Sequence, residues 1–258
     1  MTYFRLSPAR FVLGTSLLFF LLLGLSGTSG AAEKVKVLLT NSGQLDTTLR
    51  PERPLPDGPM SLRAFLTRLS GESGTDIEIV QGVPLVRAIR TAETAELPTC
   101  VPFIIRNRER GQFLKYSEPL IATERIIVVY RKDNAAVAAV TSFNGLLGTP
   151  SLSLAWRHGA SFGADLDMRF HRFRPEMVGM SSAQTKPCAL VAGKRASYCL
   201  TSKNALNEML RRGVIPAETM SYKELPDAPL IEPDRLGCNG ATPDAFLEAA
   251  NRLLHGAE

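Results

Sequence analysis

The chain has 258 residues, 30 Lys and Arg against 25 Asp and Glu, a net charge of +5, 45% hydrophobic residues and 21% charged ones. Such a balance excludes a disordered chain, and the basic residues are scattered rather than massed, which argues against nucleic acid as a partner. The four cysteines and three histidines show no Cys-x-x-Cys or other ligand spacing, so neither a metal nor another cofactor is expected.

The amino terminus reads as an export leader. Arg5 and Arg10 precede an apolar run from Phe11 to Leu25, and the small residues Gly27, Ser29, Gly30, Ala31 and Ala32 suit a signal peptidase. The run is shorter than the roughly 20 residues a bilayer span requires. A leader over 1–32 is therefore expected, with a periplasmic, non-membrane mature chain. Its removal takes two arginines away and lowers the net charge from +5 to +3.

Elements then alternate. A short apolar run at Val35–Leu39 leads into a Pro-rich loop over Thr40–Pro59. Ser61 is placed to cap a helix carrying Leu62, Phe65, Leu66 and Leu69, stopped by Gly71. A strand at Ile77–Val80, a helix at Pro84–Thr91 and a strand at Cys100–Ile105 complete a βαβαβ opening. Arg106–Tyr130 reads as an arginine-rich turn, a corner at Tyr116-Ser117-Glu118-Pro119, and a buried strand at Ile126–Tyr130.

The second half predicts a strand at Ser151–Trp156, a turn at Arg157–Gly163 and a strand near Met177. A helix over Ser182–Ala192, bent at Pro187, and a strand at Ser197–Thr201 follow. Ser202 caps a helix ending at Gly213, and a last helix starts at Thr242 with Pro243 in its first turn. Cys100, Cys188, Cys199 and Cys238 all lie in the exported part, where an oxidising compartment favours disulfides. Spacing alone leaves three pairings open.

Several segments together resemble the bacterial type II periplasmic solute-binding proteins, the family 3 branch that includes amino-acid receptors of ABC importers. They are PLVRAIR from Pro84 to Arg90, ERGQFLKYSEPL from Glu109 to Leu120, FNGLLG from Phe143, HGASFGADL from His158 and GKRASYCL from Gly193. Arg110 followed by Ser117 is the most specific part. The resemblance implies two α/β lobes joined by a two-strand hinge: lobe one at 33–130 and 222–258, lobe two at 131–221. It implies a monomer that captures a small molecule in the interlobe cleft and docks on an ABC permease, or on a sensor protein. It also implies Cys100 with Cys238 in lobe one and Cys188 with Cys199 in lobe two.

By the same resemblance, Arg110 grips a ligand anion, faced from lobe two by backbone N–H groups of Gly159, Ala160 and Ser161. Arg87 and Tyr116 complete the expected set. Guanidinium is always charged and donates in a planar fork, which fits a carboxylate. Hydroxyl-bearing residues usual before the arginine are replaced here by Pro102–Arg106, and Ser197 and Ser202 stand where amino-acid receptors carry aspartates. An ammonium group therefore lacks its partner, and an anionic or neutral polar ligand is favoured. Arg106, Arg108 and Arg157 are read as solvated rim charges, and Trp156 as packing.

Two enzymatic alternatives remain in view. Gly159-Ala160-Ser161-Phe162-Gly163 matches a Gly-x-Ser-x-Gly elbow, with Asp227, Asp234 or Asp244 and then His255 in hydrolase order. Dehydratases also occur on the related fold, with Glu118 the nearest candidate carboxylate. Neither is expected, and the protein is read as a binding protein rather than an enzyme.

Overall fold

The computed structural model describes residues 3–6, 34–40, 44–55, 58–181 and 186–255. Most of the expected leader therefore lies outside the described residues. Within its span, β1 (Tyr3–Leu6) pairs antiparallel with β3 (Asp76–Val80) at a sheet edge.

The first sheet runs β1-β3-β2-β4-β12-β5, with β2 (Lys34–Leu38), β4 (Thr99–Ile105), β5 (Leu114–Ile121) and β12 (Asp234–Asn239). Its β3, β2 and β4 are parallel neighbours, and β12 returns antiparallel between β4 and β5. Parallel strands require crossovers, supplied by α1 (Leu62–Ser73) and α2 (Leu85–Thr94). Ser61 caps α1 as its sequence position predicts, accepting the Ala64 N–H at 3.3 Å. The helix runs past Gly71 and ends at Gly74, whose φ of 64° supplies the left-handed turn.

Both faces of this sheet are covered, so its strands read as apolar runs. Val35 and Val37 pack with α1 and α8 (Asp244–His255), while Leu38, Val80 and Val101 pack with Ala88 and Ala92 of α2.

The second sheet runs β10-β6-β9-β7-β8, formed by β6 (Glu124–Arg131), β7 (Ser153–Arg157), β8 (Glu176–Met180), β9 (Tyr198–Ser202) and β10 (Met220–Lys223), with β11 (Leu230–Ile231) also on β6. Short helices α3 (Ala135–Ala139) and α4 (Phe143–Leu147) join α5 (Ala164–Phe173) in enclosing the Phe143–Tyr198 core. On the other face α6 (Pro187–Ala192) and α7 (Lys203–Arg211) enclose Val129, Cys199 and Met209. Pro187 opens α6 rather than bending it, because proline lacks the N–H that a helix interior needs. Residues 182–185, expected to begin that helix, lie outside the described residues.

The chain passes between sheets twice, from Ile121 to Glu124 and from Ile231 to Asp234. Sheet membership shifts the expected boundaries. The run Ile126–Tyr130, assigned to the first lobe, is the inner strand of the second sheet, and Tyr222 pairs with Val129 there as well. Its all-apolar pattern fits a strand buried on both faces in either sheet, so pattern could not decide which.

Both disulfides join the expected partners, Cys100 with Cys238 and Cys188 with Cys199. The first links directly opposed residues of β4 and β12. The second ties α6 to β9.

Candidate functional site

The C-terminal ends of β2 and β4 face the turn that follows β7, and the polar groups of interest gather at this seam. In open α/β sheets the carboxyl ends of parallel strands are where ligands sit. After β4 the chain turns at Asn107, whose side-chain oxygen accepts the Arg110 N–H at 2.9 Å and whose carbonyl accepts that of Gly111. This turn sends the Arg110 side chain inward, and only 5% of the residue is exposed.

The Arg110 guanidinium donates to two backbone carbonyls, Nη1 to Ile105 at 2.9 Å and Nη2 to Gly159 at 2.5 Å. Ile105 belongs to the first sheet and Gly159 to the turn after β7, so one side chain ties the two walls. Burial pulls its pKa down, and Tyr116, Asp167, Glu109 and Asp234 push it back up. Gly159 has φ of 78°, and a Cβ there would lie 2.9 Å from Val86 Cγ2 in the first turn of α2. Close approach of the two walls thus requires glycine.

Tyr116 reaches the same region from β5. Its hydroxyl is buried with no hydrogen-bond partner among the described residues. Burial raises its pKa, while Arg110 and Arg106 act in the opposite direction. An unpaired buried hydroxyl beside a buried cation is a polar group in want of a partner.

The remaining expected residues behave differently. Arg87 lies exposed on α2, one residue past Val86. Four N–H groups of the turn after β7 and the start of α5 are already engaged. Ala160 N–H bonds the Arg157 carbonyl, Phe162 N–H reaches Asp167, Gly163 N–H bonds Ser161 Oγ at 3.1 Å, and Ala164 N–H bonds Glu232 Oε1 at 2.8 Å. The start of α5 is thus occupied by the chain's own side chains, and of the three residues the resemblance implied, Ala160 is the one whose N–H takes part in these bonds.

Glu232 was not singled out in the sequence. It lies in the second crossing, where its N–H also bonds the Phe162 carbonyl at 3.0 Å, and only its position after β11 brings it there. It shares a cavity of about 420 Å³ with Arg106, Asn107, Arg108, Gly111 and Gln112. Arg157 is likewise not a solvated rim charge. It is half-buried, its Nη2 donates to the Thr40 carbonyl at 3.1 Å, and burial lowers its pKa.

The hydrolase constellation does not assemble. Ser161 Oγ donates to Asp167 Oδ2 at 2.5 Å, whereas His255 Nε2 lies 3.8 Å from Glu118 Oε2 against the first sheet. Asp227 accepts the N–H groups of Phe143 and Asn144, and Asp244 pairs with Lys115. The matching glycines and serine serve to start α5. Glu118 is also turned away: the register of β5 against β12 slips between Tyr116 and Pro119, so Tyr116 packs toward α2 while Glu118 faces Arg235 and His255. Trp156 packs edge-on against Phe170 in the second core.

This architecture is shared with solved structures. An ancestral arginine-binding protein bound to glutamine matches with a TM-score of 0.62 at 12% identity, over 87% of this chain and 92% of that one. The periplasmic VFT2 domain of Bordetella pertussis BvgS gives 0.58 at 17% identity, over 87% and 88%. An ancestral amino-acid-binding protein described as a precursor of cyclohexadienyl dehydratase gives 0.60 at 17%, over 86% and 88%. The chain has the periplasmic-binding-protein fold. No family profile and no curated protein sequence matches it.

Arg110 crosses the seam between the two sheets, from the turn after β4 to the turn after β7. Among the described residues no helix is long and apolar enough to cross a membrane.

Proposed function

We propose that the protein is a periplasmic solute-binding protein that captures a small anionic or polar solute between two hinged lobes. By sheet membership the first lobe comprises 34–121 and 234–255 and the second 124–231. The observation that carries this reading is the Arg110 guanidinium, buried at the seam and held by one carbonyl from each wall. A carbonyl satisfies an N–H but does not neutralise a charge, and a desolvated cation gains most from an anion that replaces water and backbone together. Tyr116, with its unpaired hydroxyl, supplies a second polar contact from the cleft floor.

The partner favoured by this reading is an ABC importer. A sensor-linked role has specific support in the likeness to the BvgS periplasmic domain. Dehydration, which the likeness to a dehydratase precursor raises, is disfavoured by Glu118 facing α8.

Native mass spectrometry of the exported protein and thermal-shift screening of organic acids, amino acids and oxyanions test the reading. A ligand at a hundred times its dissociation constant adds about 2.7 kcal/mol of stability, and Arg110→Ala removes that gain. A protein that carries no small molecule and is stabilised by none of these classes is not a solute-binding protein.

A further inference from the structure

The cleft holds a second guanidinium, and it comes from the opposite wall. Arg110 extends from the first lobe to a carbonyl of the second, and Arg157, at the end of β7, extends from the second lobe to the Thr40 carbonyl of the first. The two side chains cross the seam in opposite directions. Asp167, Glu109 and Asp234 exert their fields on Arg110, but among the described residues no carboxylate forms an ion pair with Arg157. Lys186, exposed nearby, feels Arg157 as well as Arg212, with Glu208 in partial opposition. On the second wall Asp167 acts on Arg110, while Arg157 itself is left without a carboxylate partner among the described residues.

Backbone at the start of α5 does not compete for the role. The N–H groups of Ala160, Phe162, Gly163 and Ala164 are all engaged within the chain. Arg157 is the charged group of that wall placed to receive an anion, with the Gly159 and Ser161 N–H groups following it in the same turn. Its partner Thr40 and the Arg110 partner Ile105 follow or close β2 and β4, which are neighbours in the first sheet. Both partners thus lie past the paired part of these strands, at the same end of the sheet.

We propose that Arg157 is a specificity-determining residue of the cleft and that the ligand is a small molecule with two separated anionic groups, of the short dicarboxylate class, one held by Arg110 and the other by Arg157. This rests on the solute-binding reading and narrows its ligand. On binding, the two carboxylates take over the guanidinium N–H groups now donated to the Gly159 and Thr40 carbonyls. Each arginine fork matches one carboxylate.

Isothermal titration of the mature protein with succinate and glutarate, against butyrate, valerate and inorganic phosphate, tests this. The dicarboxylates are expected to bind about 100-fold more tightly than the monocarboxylates of equal length. Arg157→Gln should lower dicarboxylate affinity about 30-fold or more while leaving the monocarboxylates within about threefold. Arg157→Lys, which keeps the charge and carries the test should the glutamine variant not fold, should restore part of the difference. Equal binding of mono- and dicarboxylates, equal weakening of both by Arg157→Gln, or binding of phosphate alone overturns the proposal. So does Arg110-dependent binding of a neutral solute, an outcome that leaves the solute-binding reading intact. Absence of binding by every solute class removes both.

Discussion

Arg110 Nη2 and the Gly159 carbonyl oxygen lie 2.5 Å apart, so a cation from the turn after β4 is fastened to the backbone after β7. Truncation to alanine removes this bond and the one to Ile105 together. Arg110→Ala is expected to lose about 1.5–3 kcal/mol, the range for hydrogen bonds to charged groups. The check is a lower urea midpoint with an unchanged slope. Arg110→Lys should recover less than half of the loss, because one ammonium cannot reproduce the fork.

Gly163 offers a test of the packing beside the second crossing. Its φ is 110°, and a Cβ at that position would lie 2.4 Å from Glu232 Cγ. Gly163→Ala is expected to cost about 2 kcal/mol or more, from backbone strain and the clash together. Adding Glu232→Ala removes the clash but not the φ, so thermal melts of the double variant should show only partial recovery.

Asp234 gives the protein a pH dependence of unusual sign. Burial, with Glu124 nearby, pushes its carboxyl up to about 7 against the opposing fields of Arg50 and Arg110. The folded state then holds a proton that the unfolded state has already released above about pH 4, so stability falls as pH rises from about 4 to about 7 and is level beyond. The melting temperature should decline between pH 5 and pH 8 in the wild type. In Asp234→Asn that decline should vanish. A wild-type curve that rises across the window would contradict the assignment.

The two disulfides should differ in worth. Their sequence separations are 138 and 11 residues, and loop-closure entropy assigns them about 5 and about 3 kcal/mol. Cys100→Ala with Cys238→Ala should therefore lower the denaturation midpoint more than Cys188→Ala with Cys199→Ala.

Much of the framework was legible because its signals are local. Ser61 and Ser202 cap helices where their positions predict, and the apolar runs at 77–80, 100–105 and 126–130 are strands. β5 was hidden by Pro119, which reads as a corner, yet an edge strand with a slipped register accommodates a residue lacking an N–H. α5 was missed because the segment was read for its turn motif, and Arg172 and His171 obscure the buried stripe of Leu166 and Phe170.

The site was legible only in part, for a physical reason. Arg110 was singled out from its surrounding motif, and the structure buries it at the seam. Arg157 and Glu232 acquire their roles from partners 117 and 68 residues away, at Thr40 and Ala164, and no local pattern encodes such distances. Arginine at a strand end looks the same in sequence whether water or a facing wall receives it.

The bond between Cys100 and Cys238 encloses the whole second sheet and both crossings within one covalent ring. A protease that nicks the polypeptide once at any exposed stretch between those residues leaves the fragments fastened to each other. The cut molecule migrates as one species until a thiol reductant frees its pieces.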